Sequence, residues 1–595
     1  MALNSHDPVS FARPLRSRAS SPHPSLPSTL LDTSGSLYKA QRDADRPKIG
    51  RTTTRPPSAS YTERIRRRPR LFGAAFAFIL FFWAAWIGFG VTDLIVLFRF
   101  KLKDAAYEKG WINGCGLRKK PLLFIRGDDE LAVMWETNCD QDILVRFGVE
   151  VSKPREKGSR KEVARVDWGE VIAAARTKVP DNTDSHWAYH AILPNLKGGL
   201  RYSYKIFLRN SPTSSSPLAA HSFPWLGSVS TSSMSLSAVS DNQYNVRTFH
   251  RILLRLLSHS PSPPKLLLHL GDVVQEPKNL AQWQTDFFDP LTTLLRRPFG
   301  QSTPILLARG NHDWDSSGAN VYTGGSPPRS DWMREIGQRE KRMSLHPGTY
   351  MSYSPHPRCR ILVLDANLDE GEQAEQEWWL EWELKRQEWK GASLKIVMVH
   401  VPPFLEYWDK EAWNEGGESH WSLFVRQRLT PLLSLHGTHL VISGHQHAYS
   451  RGFLPAALHR TFTSVTNSSA LPPFAVASTA ERGWEKTPIS QREPGTIYTT
   501  IGGAGGTLDE DLVEKWGFYE KSVKGRYHFI GMELKFDTVR LKAKEGVRTY
   551  RVGGIGRCKG GGAEVVDVLS WKAVDIEGKV FDEFRIEAEG CRYWR

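Results

Sequence analysis

The chain has 595 residues, 24% of them charged and 40% hydrophobic, a globular balance that excludes disorder over the whole length. Its 48 Gly and 36 Pro follow no G-X-Y period, which excludes collagen, and five Cys are too few for a disulfide scaffold. Net charge is +15, but residues 1–70 hold fourteen Arg and Lys against five Asp and Glu, so the basic balance belongs mostly to a tail and argues against nucleic-acid binding by the body.

Residues 1–70 are rich in Ser, Pro and Arg and lack apolar periodicity, which predicts a disordered basic tail. Five Arg between Arg64 and Arg70 then precede Leu71 to Thr92, a run without charge that holds eight Phe or Trp. About 20 such residues span a bilayer core, so a transmembrane helix is expected over 71–98. The Arg cluster places the tail in the cytosol and the body in a lumenal or extracellular space. All five Cys and the single glycosylation acceptor, Asn467-Ser-Ser, lie beyond the membrane segment.

Short β-rich segments come next, among them Glu130 to Glu136, Ile143 to Gly148 and Arg201 to Leu208. They predict a small all-β sandwich over 104–228 that ends near Trp225. From residue 234 the order becomes strand, loop, helix. Strands are expected at 234–241, 265–272, 304–311, 360–365, 395–400 and 439–445. Helices are expected at 246–259, 279–297 and 372–390. The last carries Trp378, Trp382 and Trp389 on one stripe, expected to be core.

A polar or metal-capable residue ends nearly every apolar strand: Asp241, Asp272, Asn311, His400 and His445. In an open α/β sheet the carboxyl ends of the strands face one crevice, so these side chains are expected to converge. Oxygen and imidazole donors without thiolates suit Mn, Fe or Zn, and a shared carboxylate can bridge two cations.

The ordered motifs Asp241-Asn-Gln243, Gly271-Asp272, Gly310-Asn-His-Asp313, Val399-His400 and Gly444-His-Gln-His447 resemble the calcineurin-like metallophosphoesterases. The β-rich segment, the run Thr496 to Gly506 and the ending Val580 to Ile586 resemble the purple acid phosphatase branch. The resemblance implies a four-layer α/β/β/α sandwich over 234–595, preceded by a fibronectin type III-like sandwich. It implies two divalent metals bridged by Asp272, one also taking Asp241, Gln243 and His447, the other Asn311, His400 and His445. A metal-bound hydroxide would attack phosphorus in line, with His312 as the acid at the leaving oxygen and Asp313 orienting it. His420 would face the substrate.

Two positions depart from that branch. Gln243 stands where Gly or His is usual, and Gln275 stands where the purple enzymes carry Tyr, so no tyrosinate–Fe(III) centre is expected. The expected function is a membrane-anchored, acid phosphatase-like hydrolase of phosphate esters. A phosphodiesterase acting on lipid-linked glycans and a catalytically silent binding protein are the alternatives.

Overall fold

The computed structural model describes residues 114–152, 164–179, 186–210, 217–227, 231–259, 263–293, 299–313, 350–406, 420–456, 495–512, 516–540, 546–552 and 565–589, with 295, 322, 458 and 459. The tail, the 71–98 segment, Asn467, Cys558 and Cys591 lie outside them. Among the described residues no helix is long and apolar enough to cross a membrane.

Eight strands come first: β1 (Leu117–Ile125), β2 (Leu131–Thr137), β3 (Ile143–Ser152), β4 (Ala164–Ala173), β5 (Ala175–Lys178), β6 (Trp187–Leu193), β7 (Arg201–Leu208) and β8 (Ala219–Pro224). They form two antiparallel groups, β1-β2-β6-β5 and β4-β3-β7-β8. Inward residues of both, including Trp135, Tyr189, Tyr202 and Tyr204, share one apolar cluster. A disulfide between Cys115 and Cys139 ties the open end of the β1–β2 hairpin.

The first group is continuous with strands from the α/β region. Phe124 in β1 pairs in parallel with Ile305 in β11 (Ile305–Leu307). One 11-stranded sheet therefore runs from β5 through β11, β10 (Leu266–His269) and β9 (Ser233–Val239) to the C-terminal strands. A second sheet of seven strands contains β12 (Met351–His356), β13 (Cys359–Leu364), β14 (Leu394–Val399), β15 (Leu440–Ser443), β16 (Tyr449–Pro455) and β17 (Gly495–Ile501).

Alternation along these strands builds the layers, because successive side chains point to opposite faces. Leu266 and Leu268 of β10, Ile361 and Val363 of β13, and Leu440 and Ile442 of β15 enter one cluster shared by both sheets. Leu267 faces helix α1 (Val246–His259), whose Phe249, Ile252, Leu253 and Leu256 form its buried stripe. Leu362, Val397 and Val441 face helix α2 (Glu370–Lys385). The result is helix, sheet, sheet, helix.

Two helical expectations need correction. The helix expected at 372–390 stops at Arg386, whose ψ of 157° is extended, and a short helix occupies Gln387–Gly391. Within α2 the buried residues are Gln376, Trp379, Leu380, Glu383 and Leu384. Of the predicted Trp stripe, Trp389 is core and Trp382 packs against it, but Trp378 is 53% exposed. The helix expected at 279–297 is a composite of Leu280–Gln282, a π-helical Trp283–Phe288 and Asp289–Thr292.

Candidate metal centre

Strands β9, β10, β11, β14 and β15 are parallel or belong to the two facing sheets, and the loops after them meet in one cleft of about 240 Å³. Its lining is Gln243, Tyr244, Asp272, Gln275, Asn311, His312, His445, His447 and Asp509. The loops are tied to one another by backbone bonds. Asp241 N–H donates to the Gly271 carbonyl at 3.0 Å, and Gly506 N–H to the Asp241 carbonyl at 2.7 Å. Close approach demands glycine here: a Cβ on Gly310 would fall on Asp272 Oδ1.

Six described non-glycine residues have positive φ, and four are in these loops: Asp241 (59°), Tyr244 (73°), Asp272 (52°) and His445 (69°). Asp and His tolerate this region better than most side chains. Such outliers cluster where a fold holds functional groups in place.

Around the cleft the donor atoms fall into two sets joined by carboxylates. Asp272 Oδ2 lies 3.2 Å from His400 Nε2 and 3.3 Å from Gln243 Nε2. On one side, Asn311 Oδ1 lies 3.1 Å from His400 Nε2 and 2.8 Å from His445 Nδ1. On the other, His447 Nε2 lies 3.6 Å from Asp241 Oδ1 and 3.4 Å from Gln243 Nε2. Ligand atoms of Asp272, His400 and His445 all lie within 4.8 Å of one another.

Second partners orient the rings. His400 Nδ1 donates to the Leu270 carbonyl at 2.6 Å, and His447 Nδ1 to the Thr507 carbonyl at 2.5 Å. Each ring therefore turns Nε2 toward the carboxylates, the arrangement usual for metal-binding imidazoles. Gln243 Oε1 is buried and has no hydrogen-bond partner. A buried acceptor left this way costs free energy unless something else satisfies it, and a hard or borderline cation does so. The donor set thus fits two divalent metals.

The electrostatics agree. Burial alone pushes the Asp272 carboxyl up, but the His400 and His312 imidazoles outweigh it and hold it well below the usual range. Burial lowers His400, yet Asp272 and Asp241 override this and raise it to about 10. Burial likewise lowers His447, and Asp241 carries it up to about 9. The buried carboxylates draw in positive charge, which is the demand a cation meets. His445 is pushed down to about 4 by burial and His400.

Asp241, Gln243, Asp272, Asn311, His400, His445 and His447 are thus brought together. His312 also lines the cleft, with its N–H on Asp272 Oδ1 at 2.9 Å. Two expected roles are not met. Asp313 does not orient His312: its carboxylate accepts N–H bonds from Gly310, Asp272 and Val273 and closes the turn. His312 Nδ1 is instead bound to the Gln275 carbonyl at 3.0 Å. His420 is exposed at the start of the helix His420–Phe424 and is not among the cleft's lining.

Sequence reading missed what holds the first loop. Gly271 N–H donates to His269 Nδ1 at 3.2 Å, so His269 Nε2 carries the proton and donates to Asn242 Oδ1 at 2.8 Å. Asn242 Nδ2 donates to the carbonyls of Val273 at 3.0 Å and Asp286 at 2.8 Å. The Asp286 carbonyl is open because Pro290, four residues on, has no N–H to give it. The pair Asp286 and Pro290 was the available signal. Tyr244 and Asp509, the other missed lining residues, carried none.

Residues 234–449 match the family model of the calcineurin-like phosphoesterases. No curated protein matches the chain. Among solved structures the chain is similar to a purple acid phosphatase isolated from yellow lupin (Lupinus luteus) seeds. The two share 16% identity over 80% of this chain and 75% of that one, with a TM-score of 0.50. At this identity the likeness speaks for the fold. PhoD is a weaker match, at 11% identity, 78% and 91% coverage and a TM-score of 0.43. Residues 234–449 are accordingly a calcineurin-like metallophosphoesterase domain, and the chain is a hydrolase acting on phosphoric ester bonds.

Proposed function

We propose that this hydrolase is a membrane-anchored, dinuclear-metal phosphoesterase whose catalytic body faces a lumenal or extracellular space. Five of the seven predicted ligands line one cleft, Asp241 and His400 lie against them, and Gln243 Oε1 is left unpaired, which carries the catalytic part. Asp272 would be shared. Asp241, Gln243 and His447 would complete one metal site, and Asn311, His400 and His445 the other. Divalent cations held there supply Lewis-acid polarisation of the phosphoryl oxygens and a more acidic attacking water.

The chain's own groups do the rest. His312 is fixed through Nδ1 by the Gln275 carbonyl, and its Nε2 makes no hydrogen bond among the described residues. From the cleft wall it can donate a proton to the leaving oxygen. Asp313 keeps the turn that presents it. Anchoring is supported by the charge-free run Leu71 to Thr92 behind five Arg. The lumenal side is supported by the Cys115–Cys139 disulfide, a bond that persists in oxidising compartments.

The test is the leaving-group dependence of His312→Ala. Loss of a general acid lowers turnover of alkyl esters by roughly 10²–10⁴ and that of 4-nitrophenyl esters much less. An equal loss on both, with metal content kept, contradicts the acid role.

A further inference from the structure

The side chain beside Gln243 neither holds metal nor joins the core. Tyr244 comes directly after that residue, lines the cleft and is 58% exposed. Its ring makes no stacking or cation contact and its hydroxyl no hydrogen bond among the described residues. The backbone adopts a φ of 73°, an outlier for a bulky aromatic residue. Two residues earlier the loop is pinned, because the Asp286 carbonyl accepts Asn242 Nδ2 at 2.8 Å. An unpacked aromatic ring therefore stands at the mouth of the metal cleft, in a conformation that glycine would adopt without strain.

The rest of the lining says what the ring can meet. It contains the carboxylates Asp272 and Asp509 and, among the described residues, no Lys or Arg. Asp509 is fixed in place by the His447 N–H at 2.7 Å. With Asp272 taken up by the cations, a leaving group with further negative charge would meet the Asp509 carboxylate and, among the described lining residues, no Lys or Arg. A flat uncharged ring would find an aromatic face at the right place, one residue from a metal ligand.

We infer that Tyr244 is a specificity-determining residue: it stacks on a planar, uncharged aromatic leaving group of the phosphate ester. This rests on the phosphoesterase reading of the same cleft. The ring's source is either a simple aryl alcohol or a nucleoside base, and the shared chemistry is the π-face beside the ester.

The experiment uses the metal-loaded full chain and calorimetric binding of phosphonates, which are not hydrolysed. Wild type should bind phenylphosphonate about three- to tenfold more tightly than propylphosphonate, the worth of one aromatic contact. Tyr244→Ala and Tyr244→Gly should bring that ratio close to one, and Tyr244→Phe should keep it. Tyr244→Gly should also unfold at a temperature no lower than wild type, because it relieves the positive φ; a packing residue would show the opposite. Inhibition by adenosine 5′-monophosphate against ribose 5-phosphate shows whether a base is preferred to a simple aryl group. A wild-type ratio near one, or a ratio unaltered in Tyr244→Ala, overturns the inference. Because the ratio needs no turnover, failure of the hydrolase reading would show separately, as absence of any ester cleavage.

Discussion

At the scale of single residues, Gln243 is the position on which the metal account turns. It offers a neutral amide oxygen where an imidazole would bind more strongly, so its metal should be the first removed by mild chelation. Gln243→Ala should weaken that site further and leave the one built on Asn311, His400 and His445 filled, as metal analysis after dialysis against a weak chelator would show. Unchanged retention would mean that the amide touches no metal. Gln275 lines the cleft where a phenol would be needed for a tyrosinate centre, so the metal-loaded protein should show no visible charge-transfer band. The convergence of Asp241, Asp272, Asn311, His400 and His445 was legible because each ends an apolar strand and strand ends meet, whereas Gln243 and His447 came only from the resemblance of the motifs. Asp313 was misread because spacing does not reveal that a carboxylate will be consumed by three backbone N–H groups.

Elements show the same division between what pattern reveals and what context decides. Helix α1 matches its predicted limits because Phe249, Ile252, Leu253 and Leu256 form one clean stripe. In α2, adjacent Trp residues compete for the core and the stripe alone cannot choose. The structure chooses Trp379, 1% exposed, over Trp378. Trp379→Ala should cost about 3–5 kcal/mol and Trp378→Ala no more than about 0.5 kcal/mol, by denaturant unfolding. Similar costs for both would contradict the register of α2. The composite helix around Trp283–Phe288 was illegible because its break serves a distant loop: Pro290 frees a carbonyl for Asn242. Asn242→Ala would strand that carbonyl and the His269 Nε2–H in the interior. A stability loss of about 2–4 kcal/mol is expected.

Across the whole molecule, buried neutral histidines weaken the fold on the acid side. Burial pushes His269 and His439 down to about 3 and His356 and His528 down to about 4. Their unfolded forms take up protons below about pH 6.5 while the folded forms do not, so stability falls as pH drops from 6.5 toward 4. Each group contributes about 1 kcal/mol per pH unit over that window. The thermal midpoint should therefore fall steadily between pH 6.5 and 4.5, and a flat profile would contradict it. The continuity of β1 with β11 was also beyond sequence, since a single cross-strand pair, Phe124 with Ile305, joins the two parts. The central claim is metal-dependent phosphoester hydrolysis, and its most direct test is elemental analysis of the purified full chain paired with turnover of a mono- and a diester. The account predicts two divalent ions per chain, loss of turnover on exhaustive chelation and its return on adding Mn, Zn or Fe. Full turnover by metal-free protein, or none by protein loaded with two metals, would contradict it.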